Sequence, residues 1–154
     1  MLRSIMVAMC LLVMPVLSHA QADKLKVALV LPGSVTDGTF NSAAAEGIKK
    51  AQEKYPNLQV SIRENTQVAE AQEALSAYAR DGYDIVIGHG FQFADPAKRI
   101  HKRFPDTWFI INTAKVAEAP NLASFDNRWG DAGYIAGAVA ALLTESGKAR
   151  RSAH

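Results

Sequence analysis

The sequence predicts an α/β domain: an open parallel sheet with helices on both faces. Short apolar runs, such as Val27 to Leu31 and Ile85 to Ile87, alternate with stretches whose apolar residues recur every three or four positions. Turn residues, among them Pro32-Gly33, Pro56-Asn57 and Gly82, mark each change of period. The connections are short, and strands alternating with helices in this way require a parallel sheet with right-handed crossovers.

Lys26 to Leu31 reads as a buried first strand. A loop with Asp37-Gly38 leads to a first helix from about Phe40 to Tyr55, whose stripe is Phe40, Ala44, Ile48, Ala51 and Tyr55. Pro56-Asn57 ends it. Leu58, Val60 and Ile62 alternate with polar residues, the period of a half-covered second strand. The second helix spans about Ala69 to Arg80, with Ala71, Leu75 and Tyr78 inward, and Gly82 stops it. Asp84 to Gly88 is a third strand, Ile-Val-Ile between an acid and a glycine, expected to be fully buried. Asp95-Pro96 reads as an N-cap followed by proline at the first helical position, so the third helix runs from about Pro96 to Phe104. Thr107 to Asn112 and Leu122 to Phe125 are strands four and five. The fourth helix begins near Asp126 to Trp129 and continues to about Ser146, before Gly147. Its Gly130, Gly133, Ala136, Gly137 and Ala140 form a small-residue face suited to close packing.

A chain of 154 residues corresponds to one domain with room for a core. Residues 1–22 are expected to be a signal peptide rather than part of it. Arg3 gives a positive start, Ile5 to Leu17 is apolar, and Ser18 to Ala22 supplies small residues at cleavage spacing, after Ala20 or Ala22. The apolar stretch, about 13 residues, is too short for a bilayer that needs about 20. Cys10 lies too early in the stretch for a lipid anchor, and Met9 before it is too large. The mature chain is therefore expected to be periplasmic or secreted, not lipid-anchored, and free of cysteine. Without Arg3 the 17 basic residues fall to 16 against 15 acids. That near-balance argues against nucleic acid or an anionic membrane as the main partner. The basic cluster Lys148 to Arg151, with His154, reads as a solvated tail.

Four loops leave the carboxyl ends of strands one, three, four and five and must share one edge of the sheet, where open α/β sheets bind small molecules. They carry Pro32 to Asn41, Gly88 to Phe91, Asn112-Thr113 and Asp126-Asn127. Rings for stacking, with acids and amides for hydroxyls and ring nitrogens, suit a neutral, flat, hydrogen-bonding ligand. The candidate ligand-binding residues are Asp37, Phe40, Asn41, His89, Gly90, Phe91, Asn112 and Asp126. Each has a plainer reading. Asp37-Gly38 makes a turn, Asp126 an N-cap, Phe40 and Phe91 core, Asn41 a partner for local backbone N–H groups, and His89 a backbone-bonded loop histidine.

Enzyme chemistry has less support. Gly33 and Gly38 do not form a dinucleotide fingerprint, and no phosphate loop follows. Gly88-His89-Gly90 lacks an accompanying serine or cysteine nucleophile. His19, His89, His101 and His154 have no metal-ligand spacing. No cofactor, metal or catalytic residue is expected. The rival is a small exported α/β hydrolase or transferase using Asp37, His89 and Asp126; a ligand-sensing module is a third reading.

The combination of D-G-x-F-N at Asp37 to Asn41, E-G-x-K-K at Glu46 to Lys50 and D-G-Y-D-I-V-I-G at Asp81 to Gly88 is distinctive. With P-N-x-A-S-F at Pro120 to Phe125 and G-Y-I-A-G-x-x-A-A-L-x-T at Gly133 to Thr144, it resembles the basic membrane protein (BMP) family of ABC-transporter substrate-binding proteins. The resemblance runs from Lys26 to Lys148. It implies a type I periplasmic-binding fold whose two lobes close on a ligand, in characterised members a purine nucleoside stacked between phenylalanines, and an ABC permease as partner. Phe40 and Asn41 match the family's first-loop Phe-Asn. Asn112 stands where many members have aspartate, Leu31-Pro32 where many have Thr-Asp, and His89 where an apolar residue is frequent. Members are about twice as long. Residues 23–148 correspond to the N-terminal lobe, and Ala149 to His154 replaces an apolar strand leading to the second, so a truncated chain without that lobe is the expectation.

Overall fold

The computed structural model describes residues 24–143. The expected signal peptide, Cys10, the last residues of the fourth helix and the basic tail lie outside them. Five strands, β1 (Leu25–Val30), β2 (Leu58–Arg63), β3 (Ile85–His89), β4 (Trp108–Asn112) and β5 (Leu122–Phe125), form one sheet in the order β2-β1-β3-β4-β5. Every neighbouring pair is parallel. The α-helices are α1 (Phe40–Lys54), α2 (Ala71–Arg80), α3 (Ala94–Ile100) and α4 (Trp129–Leu143). The α/β class and the order of elements are those the sequence predicts.

Alternate strand residues face opposite sides of a sheet. On one side Ala28 and Val30 of β1, Val86 of β3, and Phe109 and Ile111 of β4 form a core with α2 and α3. Ala71, Ala74 and Leu75 from α2, and Ala97 and Ile100 from α3, close over it with no exposed surface. Burying a side chain the size of Leu75 or Phe109 contributes about 1.5–3 kcal/mol, so this side holds the domain together. Gly88 is required here, because a Cβ at that position would meet Phe93 Cβ at 2.6 Å. Fully buried Asn121 closes the opposite end, its amide NH2 donating to the carbonyls of His101, Phe104 and Thr107.

The other side is less filled. Leu29 and Ile87 look toward Ala44 and Ile48 of α1, but Phe40 and Tyr55 remain 38% and 52% exposed. From Gly130 to Leu143 every residue of α4 is exposed. The small-residue face of α4 therefore does not make the expected close contact. For the same reason β3 departs from full burial: Val86 is buried, while Ile85 and Ile87 are half-buried. Ile62 is likewise 39% exposed on the outer strand β2. The third helix also differs. A 3-10 turn at Phe91–Phe93 runs directly into α3, which thus starts at Ala94. Asp95 then sits inside the first turn beside Lys98 and is not the N-cap. Among the described residues no helix is long and apolar enough to cross a membrane.

Candidate functional site

Strand order reverses between β1 and β3, the switch point at which open α/β sheets form a crevice. The register aligns what borders it. His89 is level with Asn112, and Asn112 with Phe125, so residues from β3, β4 and β5 share one face at the carboxyl edge.

The first loop is shaped by two carboxylates. Asp37 Oδ1 accepts the backbone N–H groups of Thr39 and Ser42, at 2.9 and 3.0 Å. Its Oδ2 accepts the Asn41 backbone N–H at 3.0 Å and the Asn41 Nδ2 at 2.8 Å. The Asn41 and Ser42 N–H groups are free donors of the first turn of α1, so Asp37 caps the helix from two residues before its N-cap position, Thr39. The Asn41, Ser42 and Thr39 N–H groups hold its carboxyl well below the usual carboxylate range. Glu64, just after β2, ties down the other end of the loop by accepting from Val35 N at 2.7 Å and Ser34 Oγ at 3.0 Å. Gly33 lets the loop pass close to Asn41, whose Nδ2 would lie 2.6 Å from an added Cβ.

His89 joins three elements. Its ring stacks on Phe40, with centroids 3.9 Å apart and planes 28° from parallel. Its Nε2 lies 2.9 Å from the Phe40 carbonyl oxygen, which can only accept, so Nε2 carries the proton. Nδ1 lies 2.8 Å from Asn112 Nδ2 and accepts from it. Burial pushes the imidazole below its ordinary pKa, opposed by the Phe40 carbonyl and the Asp37 charge. Neutral, Nε2-protonated imidazole fits both contacts. The Oδ1 atoms of Asn41 and Asn112 are left buried without a hydrogen-bond partner.

Two grooves meet at Phe40. One, of about 450 Å³, lies over the sheet edge between Pro32, Phe40, Gly90, Phe91, Gln92 and Thr113. Phe91 is 73% exposed there, and Gly90 and Thr113 have φ of 132° and 59°. The second, of about 420 Å³, runs between α1 and the open side of the sheet. Its upper end is polar, with His89, Asn112 and Asn127, and its lower end apolar.

A family model described as ABC transporter substrate-binding protein, PnrA-like (Bmp), matches residues 24–151. The chain belongs to the Bmp family. It is 26% identical over 122 residues to the transcriptional activator protein med of Bacillus subtilis, covering 79% of this chain and 38% of that protein. It is also 26% identical over 132 residues to a purine-binding protein of Brucella abortus, covering 84% and 37%. A solved ABC-transporter solute-binding protein from Aeropyrum pernix superposes with a TM-score of 0.70 at 27% identity, over 76% of this chain and 32% of that one. The chain thus spans little more than a third of the length of the curated relatives it matches.

Of the candidate residues, Phe40, His89, Gly90, Phe91 and Asn112 line the grooves. Asn41 stands behind them as a buried support. Asp37 turns its carboxylate onto the start of α1 and does not line either groove, a capping role that neither its ligand reading nor its turn reading anticipates. Asp126 accepts from the Asn127 N–H at 2.8 Å, and Asn127 rather than Asp126 lines the second groove. It does not open the fourth helix, which starts at Trp129. Glu64, Thr113, Phe125 and Asn127 belong to the same edge. Glu64 has no motif that marks it, whereas Thr113, Phe125 and Asn127 fall in or beside loops the strand pattern places there. Among the described residues no three His, Cys, Asp or Glu side chains group to hold a metal.

Proposed function

We propose that the Bmp chain is a ligand-binding lobe of an ABC importer's solute-binding protein and that it holds a small polar ring compound, a purine nucleoside, at this edge. The observation that carries the reading is the groove between Phe40 and Phe91, two rings with free surface on a frame anchored by Asp37 and Glu64. Its volume is within the range of small-molecule sites. Rings bind a flat heterocycle by stacking, and the Asn112 and Asn127 amides of the second groove, which adjoins this one at Phe40, address its edge. The purine-binding name of the Brucella relative points to the same class of ligand.

In such a receptor a second lobe supplies the other wall. The ligand favours the closed arrangement through contacts available only when both walls meet, and a permease reads that closure. Residues 1–22 act as the export signal in this reading, and the working compartment is the periplasm or exterior. The lobe performs no chemistry. Asp37 is fully engaged as a cap, and the Nε2 proton of His89 is held by the Phe40 carbonyl, which occupies two of the three residues on which the acid–base rival depends.

Saturation-transfer NMR with adenosine, guanosine and inosine, against glucose and leucine as controls, tests the ligand class. Transfer to the purine protons alone supports it. Equal transfer to all five compounds, or to none, contradicts it.

A further inference from the structure

The Asn112 amide has two unlike ends, and only one is in use. Its NH2 donates to His89 Nδ1, and its Oδ1 has no partner. That orientation is imposed from the other side of the ring. The Phe40 carbonyl requires a proton on His89 Nε2, which leaves Nδ1 of the neutral ring as an acceptor. An acceptor at Nδ1 selects the NH2 end of the amide. Asn41 repeats the pattern independently, with Nδ2 on Asp37 and Oδ1 unpartnered.

We infer, on the reading of this edge as the ligand-binding one, that His89 is a positioning residue. It turns the Asn112 amide so that its carbonyl oxygen, buried and unpartnered at the wall of the second groove, is the end that meets a ligand group bearing an N–H or O–H donor there, and a proton on His89 reverses this. A doubly protonated ring places an N–H donor at Nδ1, opposite the Asn112 NH2. Two donors cannot pair, so the amide turns over, engages Oδ1 with His89 and offers its NH2 instead. A donor-bearing ligand that gained an acceptor at neutral pH then meets a donor.

The groups around the ring set the direction of its titration. His89 lies on β3, between the start of α1 and the end of β4. From the α1 side Phe40 presents its ring and carbonyl, and Asp37 acts as a charge favouring the protonated ring. From β4 the facing group is the uncharged Asn112. Asp126 and Arg128, beyond β5, are the charged residues of the neighbouring loop, and Arg128 pairs with Asp131. Burial outweighs the Asp37 charge and keeps the ring neutral at neutral pH.

The test follows the ring, the amide and a probe ligand together on the full chain. Nitrogen-15 NMR reads the His89 tautomer and the Asn112 side-chain amide from about pH 8 to about pH 5, and inosine affinity is measured at both ends. Expected are a single Nε2–H tautomer at the higher pH, Asn112 amide resonances that move with the His89 titration, and inosine binding about tenfold weaker at the lower pH. His89→Gln keeps a donor for the Phe40 carbonyl but cannot titrate, so its affinity should not change between the two pH values. An Nδ1–H tautomer, an amide indifferent to His89, or the same pH dependence in His89→Gln overturns the inference. Absence of inosine binding at either pH contradicts the nucleoside reading instead, and the tautomer and amide signals then decide the role of His89 alone.

Discussion

The imidazole of His89 lies against the ring of Phe40, 3.9 Å between centroids, and donates from Nε2 to the carbonyl of the same residue. Two contacts to one residue fix where α1 begins relative to β3. They also leave Phe40 with one face covered and 38% of its surface free beside Phe91.

Phe91→Ala should separate binding from stability. The ring is 73% exposed, so unfolding free energy should change by no more than about 0.5 kcal/mol. Purine nucleoside binding should fall by about tenfold, the loss of one stacking ring. Urea unfolding and ligand titration on the same variant check both halves.

Gly88→Ala should do the reverse. The added methyl meets Phe93 Cβ at 2.6 Å and Ile111 Cδ1 at 3.0 Å inside the filled core. Overpacking of this kind costs about 1–3 kcal/mol, visible as a lower urea midpoint with unchanged slope.

Asn121→Ala removes an amide that serves three carbonyls and accepts from the buried His101 ring. Unpaired buried groups should make it cost about 3 kcal/mol, and the turn before β4 should lose amide-exchange protection.

Acid should weaken the fold in two steps. His89 has a folded pKa below its unfolded one, so its contribution is complete above the unfolded value, near 6.5, and is lost as pH falls through and below it. Asp37 behaves likewise at lower pH, its stabilisation present above the unfolded carboxylate value and lost as pH falls toward the folded one. Thermal unfolding against pH should lose its upper step in His89→Gln and its lower step in Asp37→Asn.

The fold was legible where a pattern has one physical cause. Val27 to Leu31 and Ile85 to Ile87 are too short and too apolar to be anything but inner strands of a parallel sheet, and the order of elements follows from them. Ala94 as the start of α3 was not legible, because the preceding 3-10 turn carries no period that separates it from a helix. Nor was the exposure of α4. Apolar and small residues say what a helix can pack against, and not whether a neighbour is there.

The candidate edge was legible from topology, since loops after parallel strands share one side. Residue roles were less so. Asp37 had a ligand reading and a turn reading, and its observed role as a cap depends on where the α1 N–H groups point. The pairing of His89 with Asn112 depends on the register of β3 with β4, which spacing along one chain does not encode. Glu64 acts across 29 and 30 residues on Val35 and Ser34, with no local signature.

Chemical-shift mapping of nitrogen-15-labelled chain during inosine titration tests the ligand edge most directly. The account predicts shifts confined to the backbone amides of Phe40, Asn41, Gly90, Phe91, Asn112 and Thr113. Shifts elsewhere, on α2 or α3, or none at millimolar inosine, would contradict it.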